Sequence, residues 1–314
     1  MNRKIGVALA VIAGVAVSVQ SRINGELGHR LNDGIAAAVV SFGSGLIVLL
    51  LISPRMRPGL RNLRNAVRSG SLRWWNCLGG VCGAFLVVTQ GITVATIGVA
   101  VFTVAMVAGQ TASSLAVDRA GLVPGGPHPI TRNRAVAAFL CVIAVLIAVA
   151  DRFGDPTALG LAILPALGGV GIAWQQGVNG LVRQSAGSAL PATFINFATG
   201  TAALLIAFAA DLALRGLPHQ FPSEIWLYCG GVFGLVFIPI ATIIVGRIGV
   251  LLMGLSMIAG QIVGAVAIDS VAPTNSGKPT TETVIGAALA LVAILLAGRP
   301  SPRAPQPSRE EAPA

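Results

Sequence analysis

From Trp74 to Val117 the chain runs without a charged residue. That is roughly twice the ~20 residues a helix needs to cross a hydrocarbon core. In lipid a backbone must satisfy its own N–H and C=O groups, so the stretch predicts two helical spans joined by a tight turn. Ile225 to Ile268, interrupted only by Arg247, predicts a second hairpin of the same kind.

The rest of the chain fits this constraint. Of 314 residues, 54% are hydrophobic and 10% charged, whereas a soluble domain carries about a quarter charged residues. A water-soluble fold is excluded. Uncharged apolar stretches predict ten spans, near residues 5–24, 34–52, 74–94, 98–117, 134–150, 158–182, 190–210, 225–245, 249–268 and 281–298. The fifth and last are short, so the count rests most weakly on them. The first run, behind Arg3 and Lys4, has the make-up of a signal peptide, with a small-residue site near Ala16 and Ser18. The Pro-rich, charged tail at 300–314 cannot bury enough apolar surface to order itself and is expected to be a disordered cytoplasmic end.

The net charge of +10 could suggest nucleic acid, but the basic residues fall between apolar runs rather than forming one arm. They read as topology signals facing anionic lipid. With both termini inside, sixteen of the 21 Lys and Arg fall in inner segments. Five, Arg22, Arg30, Arg152, Arg215 and Lys278, fall outside. That bias fits an even number of spans in a plasma (inner) membrane protein with cytoplasmic ends.

The chain also repeats. Adding 155 carries Gly14, Gln20, Asn24, Gly25, Phe42 and Gly45 onto Gly169, Gln175, Asn179, Gly180, Phe197 and Gly200. Adding 151 carries Trp75, Gly79, Gly80, Gly83, Met106, Gly109, Gln110 and Asp118 onto Trp226, Gly230, Gly231, Gly234, Met257, Gly260, Gln261 and Asp269. Constant spacing of Gln, Asn, Trp and Asp is hard to obtain by chance in so apolar a chain. Because the first run matches the sixth, it is expected to be a retained span and not a cleaved signal. An odd unit of five spans reverses chain direction, so residues 1–152 and 153–299 are expected to form two inverted five-helix repeats. Thr96 and Arg247 then occupy equivalent turns on opposite faces, with the charge on the cytoplasmic copy. Inverted repeats are a recurring transporter device.

With these elements in view, GVAVSVQSRINGELG, the SFGSG motif from Ser41, and their copies GVGIAWQQGVNG and NFATG resemble the YdcZ-like family of the drug/metabolite transporter (DMT) superfamily, related to EamA-type proteins. The resemblance spans about residues 5–298. It implies a ten-span inner-membrane carrier of undefined substrate.

Gln20 and Asn24 lie four apart and share a helix face, as do Gln175 and Asn179. Amides in an apolar helix need partners, so these four, with Trp174, Asn196, Gln110 and Gln261, are the candidate lining of a central polar site. Gln90 and Gln176 widen it. Interhelical bonding that merely holds the bundle is the alternative use of the same amides. Arg22 and Glu26, also four apart, are candidates for gating or coupling, or else a solvated ion pair. Asp118 and Asp269 are expected at helix ends that meet water, and the Gly79/Gly83 pair and its copy at close helix contacts. Pro165 and Pro239 are expected to kink their helices.

Nothing marks a catalytic centre. There is no phosphate loop, His29, His128 and His219 lack metal spacing, and no Ser, His and Asp set falls within a span. Cys77, Cys82, Cys141 and Cys229 form no C-x-x-C pair and are expected as packing residues. The expectation is therefore a non-enzymatic secondary transporter, exporter or exchanger, needing no cofactor or metal. Its partners would be a small-molecule substrate and the bilayer, with no nucleic acid and with room for a homodimer. A non-transporting membrane scaffold is the alternative.

Overall fold

The computed structural model describes residues 3–122, 126–127, 130–152, 156–216, 218, 221–235 and 250–297. The end of the eighth expected span, Pro239, Arg247, His128, His219 and the tail lie outside these residues.

The described chain is helical, with no strand among its residues. The helices are α1 (Arg3–Leu31), α2 (Gly34–Leu51), α3 (Arg57–Arg68), α4 (Gly79–Arg119), α5 (Arg132–Ala148), α6 (Pro156–Ala186) and α7 (Ala189–Arg215), followed by α8 (Ile225–Leu235), α9 (Val250–Val271) and α10 (Thr281–Ala297). Six of these segments, α1, α2, α4, α6, α7 and α9, are long and apolar enough to cross a membrane, while α8 and α10 are apolar but shorter. Turn chemistry separates the first two. Asn32 takes a left-handed φ of 50°, and the Asp33 carboxylate accepts hydrogen bonds from the Ile35 and Ala36 N–H groups at 2.9 Å each. This satisfies donors that the first turn of α2 leaves open.

α4 contains the expected hairpin. At Gly98 the backbone takes φ 82°, ψ 161°, a region that costs a residue without a side chain little. The arms on either side run back past α6: Gly168 and Gly171 face Leu86 and Cys82 of the first arm, and Gly169 and Gly177 face Met106 and Val117 of the second. The second arm is capped from a distance, because Asp269 Oδ2 accepts the Ala100 N–H at 2.7 Å. Asp269 is only 3% exposed. The expectation that it sits where a helix end meets water is therefore corrected: a helix N-terminus draws an anionic cap into the interior. Its counterpart Asp118 is half-buried and pairs with Arg134. α6 continues through Pro165 as one helix.

Packing exchanges helices between the halves, with α1 against α9, α6 against the α4 hairpin and α5 against α10. Small residues make these contacts close. A Cβ on Gly14 would lie 2.0 Å from the Met257 carbonyl oxygen, and one on Gly169 2.0 Å from that of Met106. At the contact between α2 and α7, Phe42 and Phe197 stack with centroids 5.1 Å apart. Each ring also fills the space above the other helix's glycine, Gly200 and Gly45. These contacts return under the offsets that relate the two halves of the sequence. The largest core cluster includes Val99, Phe102 and Val107 of α4, Ala144 of α5, Ile262 of α9 and Ala290 of α10.

Between α2 and α4 lies α3, which hydropathy did not reveal. Its apolar Leu63 is buried with Leu72 against Val182, Ala186 and Ala192, and Gly59 abuts Pro191. The corresponding connection in the second half holds no such helix among the described residues.

Candidate functional site

The α1 amides meet the first arm of α4. Gly25 and Gly28 bring α1 against Val94 and Gly91. There Asn24, wholly buried, donates from Nδ2 to Gln90 Oε1 at 2.7 Å. Gln90 donates in turn to Ser21 Oγ at 3.0 Å, and the Ser21 hydroxyl donates to the Val17 carbonyl. Such a chain satisfies amides that hydrocarbon would penalise. Asn24 Oδ1 has no hydrogen-bond partner among the described residues and faces Gly230 of α8. One turn earlier, Gln20 faces Gly234.

The second-half amides converge on one acceptor. Gln175 Nε2 and Asn179 Nδ2 both donate to Asn196 Oδ1, at 3.1 and 3.0 Å. Gly79 and Gly83 of α4 make the room: a Cβ on Gly79 would lie 2.8 Å from Asn179 Oδ1 and one on Gly83 3.0 Å from Gln175 Oε1. The glycine pair thus lies at a close contact between α4 and α6, where α6 side chains occupy the space a Cβ would need. The close backbone approach belongs to Gly80, whose Cβ would lie 1.9 Å from the Asn196 carbonyl oxygen, and to its copy Gly231, 1.8 Å from that of Ser41.

A third group joins α4 to α6, where Gln110 Nε2 donates to Gln176 Oε1 at 3.0 Å. Gln261, its counterpart on α9, accepts the Ser18 hydroxyl at its backbone carbonyl, while its Oε1 is buried without a partner among the described residues. Trp174, half-buried on α6, precedes Gln175. Asn24, Gln175, Asn179, Asn196 and Gln110 thus fall into separate hydrogen-bonded groups at the α1–α4, α6–α7 and α4–α6 contacts. Sequence reasoning missed Ser21, whose signal was its position between Gln20 and Asn24.

At the far end of α1, Glu26 holds two cations. Arg22 bonds Oε2 at 2.9 Å and Arg30 bonds Oε1 at 2.8 Å. Arg30 also pairs with Glu224, just before α8, and that bond holds the exposed Glu224 carboxyl below the usual carboxylate range. The i, i+4, i+8 spacing of Arg22, Glu26 and Arg30 was legible in the sequence; the link to Glu224 was not. Replacing Glu26 by glutamine is expected to lower the thermal midpoint modestly, equivalent to about 1 kcal/mol for half-buried pairs at the end of the bundle. Because Glu224 titrates below its ordinary value, its contribution is present above that value and is lost as pH falls through the lowered one. Thermal scans of the wild type and Glu224→Gln from neutral to acid pH check this: the wild type should approach that variant at the acid end.

Comparison with known families agrees with the helical architecture and the repeat. A family model described as "Putative inner membrane exporter, YdcZ" matches twice, over residues 5–147 and 160–296. Searches of curated proteins and of solved structures found no match. The family is one of multi-pass inner-membrane transporters, not of enzymes. With both halves of the chain matched by the family model, the chain belongs to the YdcZ family of DMT transporters.

Proposed function

We propose that the protein is a secondary carrier of a small solute, working by alternating access, with ten spans, two inverted five-helix repeats and both termini in the cytoplasm. The reciprocal contact of Gly80 on α7 and Gly231 on α2 supports this most directly. Two similar units, each docked on the other by equivalent contacts, can exchange conformations and so expose a shared site to either side in turn. The solute would be held near Gln20, Asn24, Trp174, Gln175, Asn179 and Asn196, with Gln110 and Gln261 at the margin. The nearly uncharged amides fit a neutral, zwitterionic or amphipathic solute better than a multivalent anion.

The gates differ chemically. Arg22, Glu26, Arg30 and Glu224 correspond under the repeat offsets to Gly177, Leu181, Ser185 and Arg73, which cannot form the same ionic latch. An outer gate closed by ion pairs and an inner gate closed by apolar packing follow from that difference. Removing the pairs favours outward opening.

Single cysteines at positions 20, 24, 175 and 179 in a Cys-free background test the reading. Labelling with a polar thiol reagent from each side should be asymmetric. Adding Glu26→Gln should raise labelling from outside and lower it from inside. The wholly buried Asn24–Gln90 pair favours a second reading, a non-transporting scaffold whose amides are packing elements. Absence of labelling from both sides would establish that reading instead.

A further inference from the structure

We propose that α3 and the Trp74–Trp75 pair form a binding surface for the headgroups of anionic phospholipids. α3 is amphipathic in a specific way. Leu63 and Gly59 face the bundle and are buried against α6 and α7, which pins the helix across the end of the fold. Its other face carries Arg57, Arg61, Arg64 and Arg68, all exposed, flanked by the exposed Arg55 and Arg73.

None of these six guanidinium groups forms an ion pair with a described residue, and between Asp33 and Asp118 the sequence contains no acidic residue at all. Six like charges held on a folded scaffold with no protein counter-charge repel one another, so the arrangement is stabilised by an external anion. Arginine suits phosphate in particular, because its planar fork presents paired donors to phosphate oxygens.

The neighbouring aromatics select a lipid over a soluble anion. Trp74 and Trp75 are 62% and 42% exposed, lie edge to face with centroids 5.9 Å apart, and Trp75 carries the Arg73 guanidinium 5.5 Å above its ring. Exposed indoles beside cations belong at the level where acyl chains give way to headgroups. A basic helix lying across the bundle end beside them meets the phosphate layer. The second half lacks this helix among its described residues, so the surface belongs to one face of the protein.

The test uses the full-length protein, delipidated in dodecylmaltoside micelles. Thermal midpoints are measured against added phosphatidylglycerol, phosphatidylcholine or inorganic phosphate. Binding in micelles does not depend on transport or on orientation in the membrane, so failure here leaves the carrier reading untouched. Phosphatidylglycerol should raise the midpoint saturably, whereas phosphatidylcholine and phosphate should not. In R57Q/R61Q/R64Q/R68Q the apparent affinity for phosphatidylglycerol should fall roughly tenfold or more, and the fourfold lysine variant should retain most of it. If the fourfold glutamine variant does not fold, R61Q/R64Q supports the same comparison with a smaller loss. Equal response of wild type and glutamine variants, equal response to phosphatidylcholine, or an equal effect of inorganic phosphate overturns the proposal.

Discussion

Replacing Gly80 by valine is expected to abolish the monodisperse folded protein or to lower its thermal midpoint severely, with Gly231→Val doing the same. The Cβ alone would sit 1.9 Å from the Asn196 carbonyl oxygen and 2.5 Å from Thr199 Oγ1 at Gly80. At Gly231 it would sit 1.8 Å from the Ser41 carbonyl oxygen and 2.5 Å from Ser44 Oγ. The obstructing carbonyls are part of α7 and α2, so whole helices must separate. Overpacking of this kind typically costs about 1–3 kcal/mol and at times more, and a β-branched residue leaves the upper end the better estimate. Gly43→Val is the control on the same bundle, because nothing lies within 4 Å of its Cβ position. Fluorescence-detected size exclusion after a heating series compares the three. A Gly80→Val protein as stable as Gly43→Val would mean that α4 and α7 do not approach as described.

Asn196→Leu is expected to be the most damaging single change among the polar residues. The amides of Gln175 and Asn179 both end on Asn196 Oδ1, and leucine leaves both donors in an apolar environment without their acceptor. Interhelical hydrogen bonds in membranes are worth roughly 0.6–2 kcal/mol each, so losing the pair should cost about 1–4 kcal/mol and lower the thermal midpoint by several degrees. Asn196→Asp keeps acceptor oxygens for both amides and should recover part of the loss. The same two variants separate the roles of the cluster once a solute is found. A structural acceptor predicts that transport tracks the midpoint, whereas a solute-binding group predicts impaired transport in the aspartate variant even where the midpoint recovers. Asn196→Leu with a wild-type midpoint would remove the cluster from any account of how α6 is held.

Several elements were legible because they follow from local chemistry. The hairpin was visible as an uncharged run too long for one span, and Gly98 supplied the backbone freedom for its turn. The repeat was visible as constant spacing of Gln, Asn, Trp and Asp. The amide pairs of α1 and α6 were visible from their four-residue separation, as was the Arg22–Glu26 pair. By contrast α3 escaped notice, because a short basic amphipathic helix reads as a charged loop when hydropathy alone is scanned. Asp269 was placed at the surface because a charge at a helix end usually meets water; its partner, the Ala100 N–H, lies 169 residues away.

What the sequence determined by itself was therefore the solvent of the fold, its helical content and its duplication, since hydrophobic run length, charge placement and periodicity act within a segment. Which helices touch was decided by tertiary structure alone. No local pattern says that α1 packs against α9 and α6 against the α4 hairpin, that Gly80 and not Gly79 makes the close approach, or that Asn24 bonds Gln90 while Asn179 bonds Asn196. Equivalent positions in a repeat constrain which pairings are symmetric, but close packing and hydrogen-bond geometry between distant segments select among them.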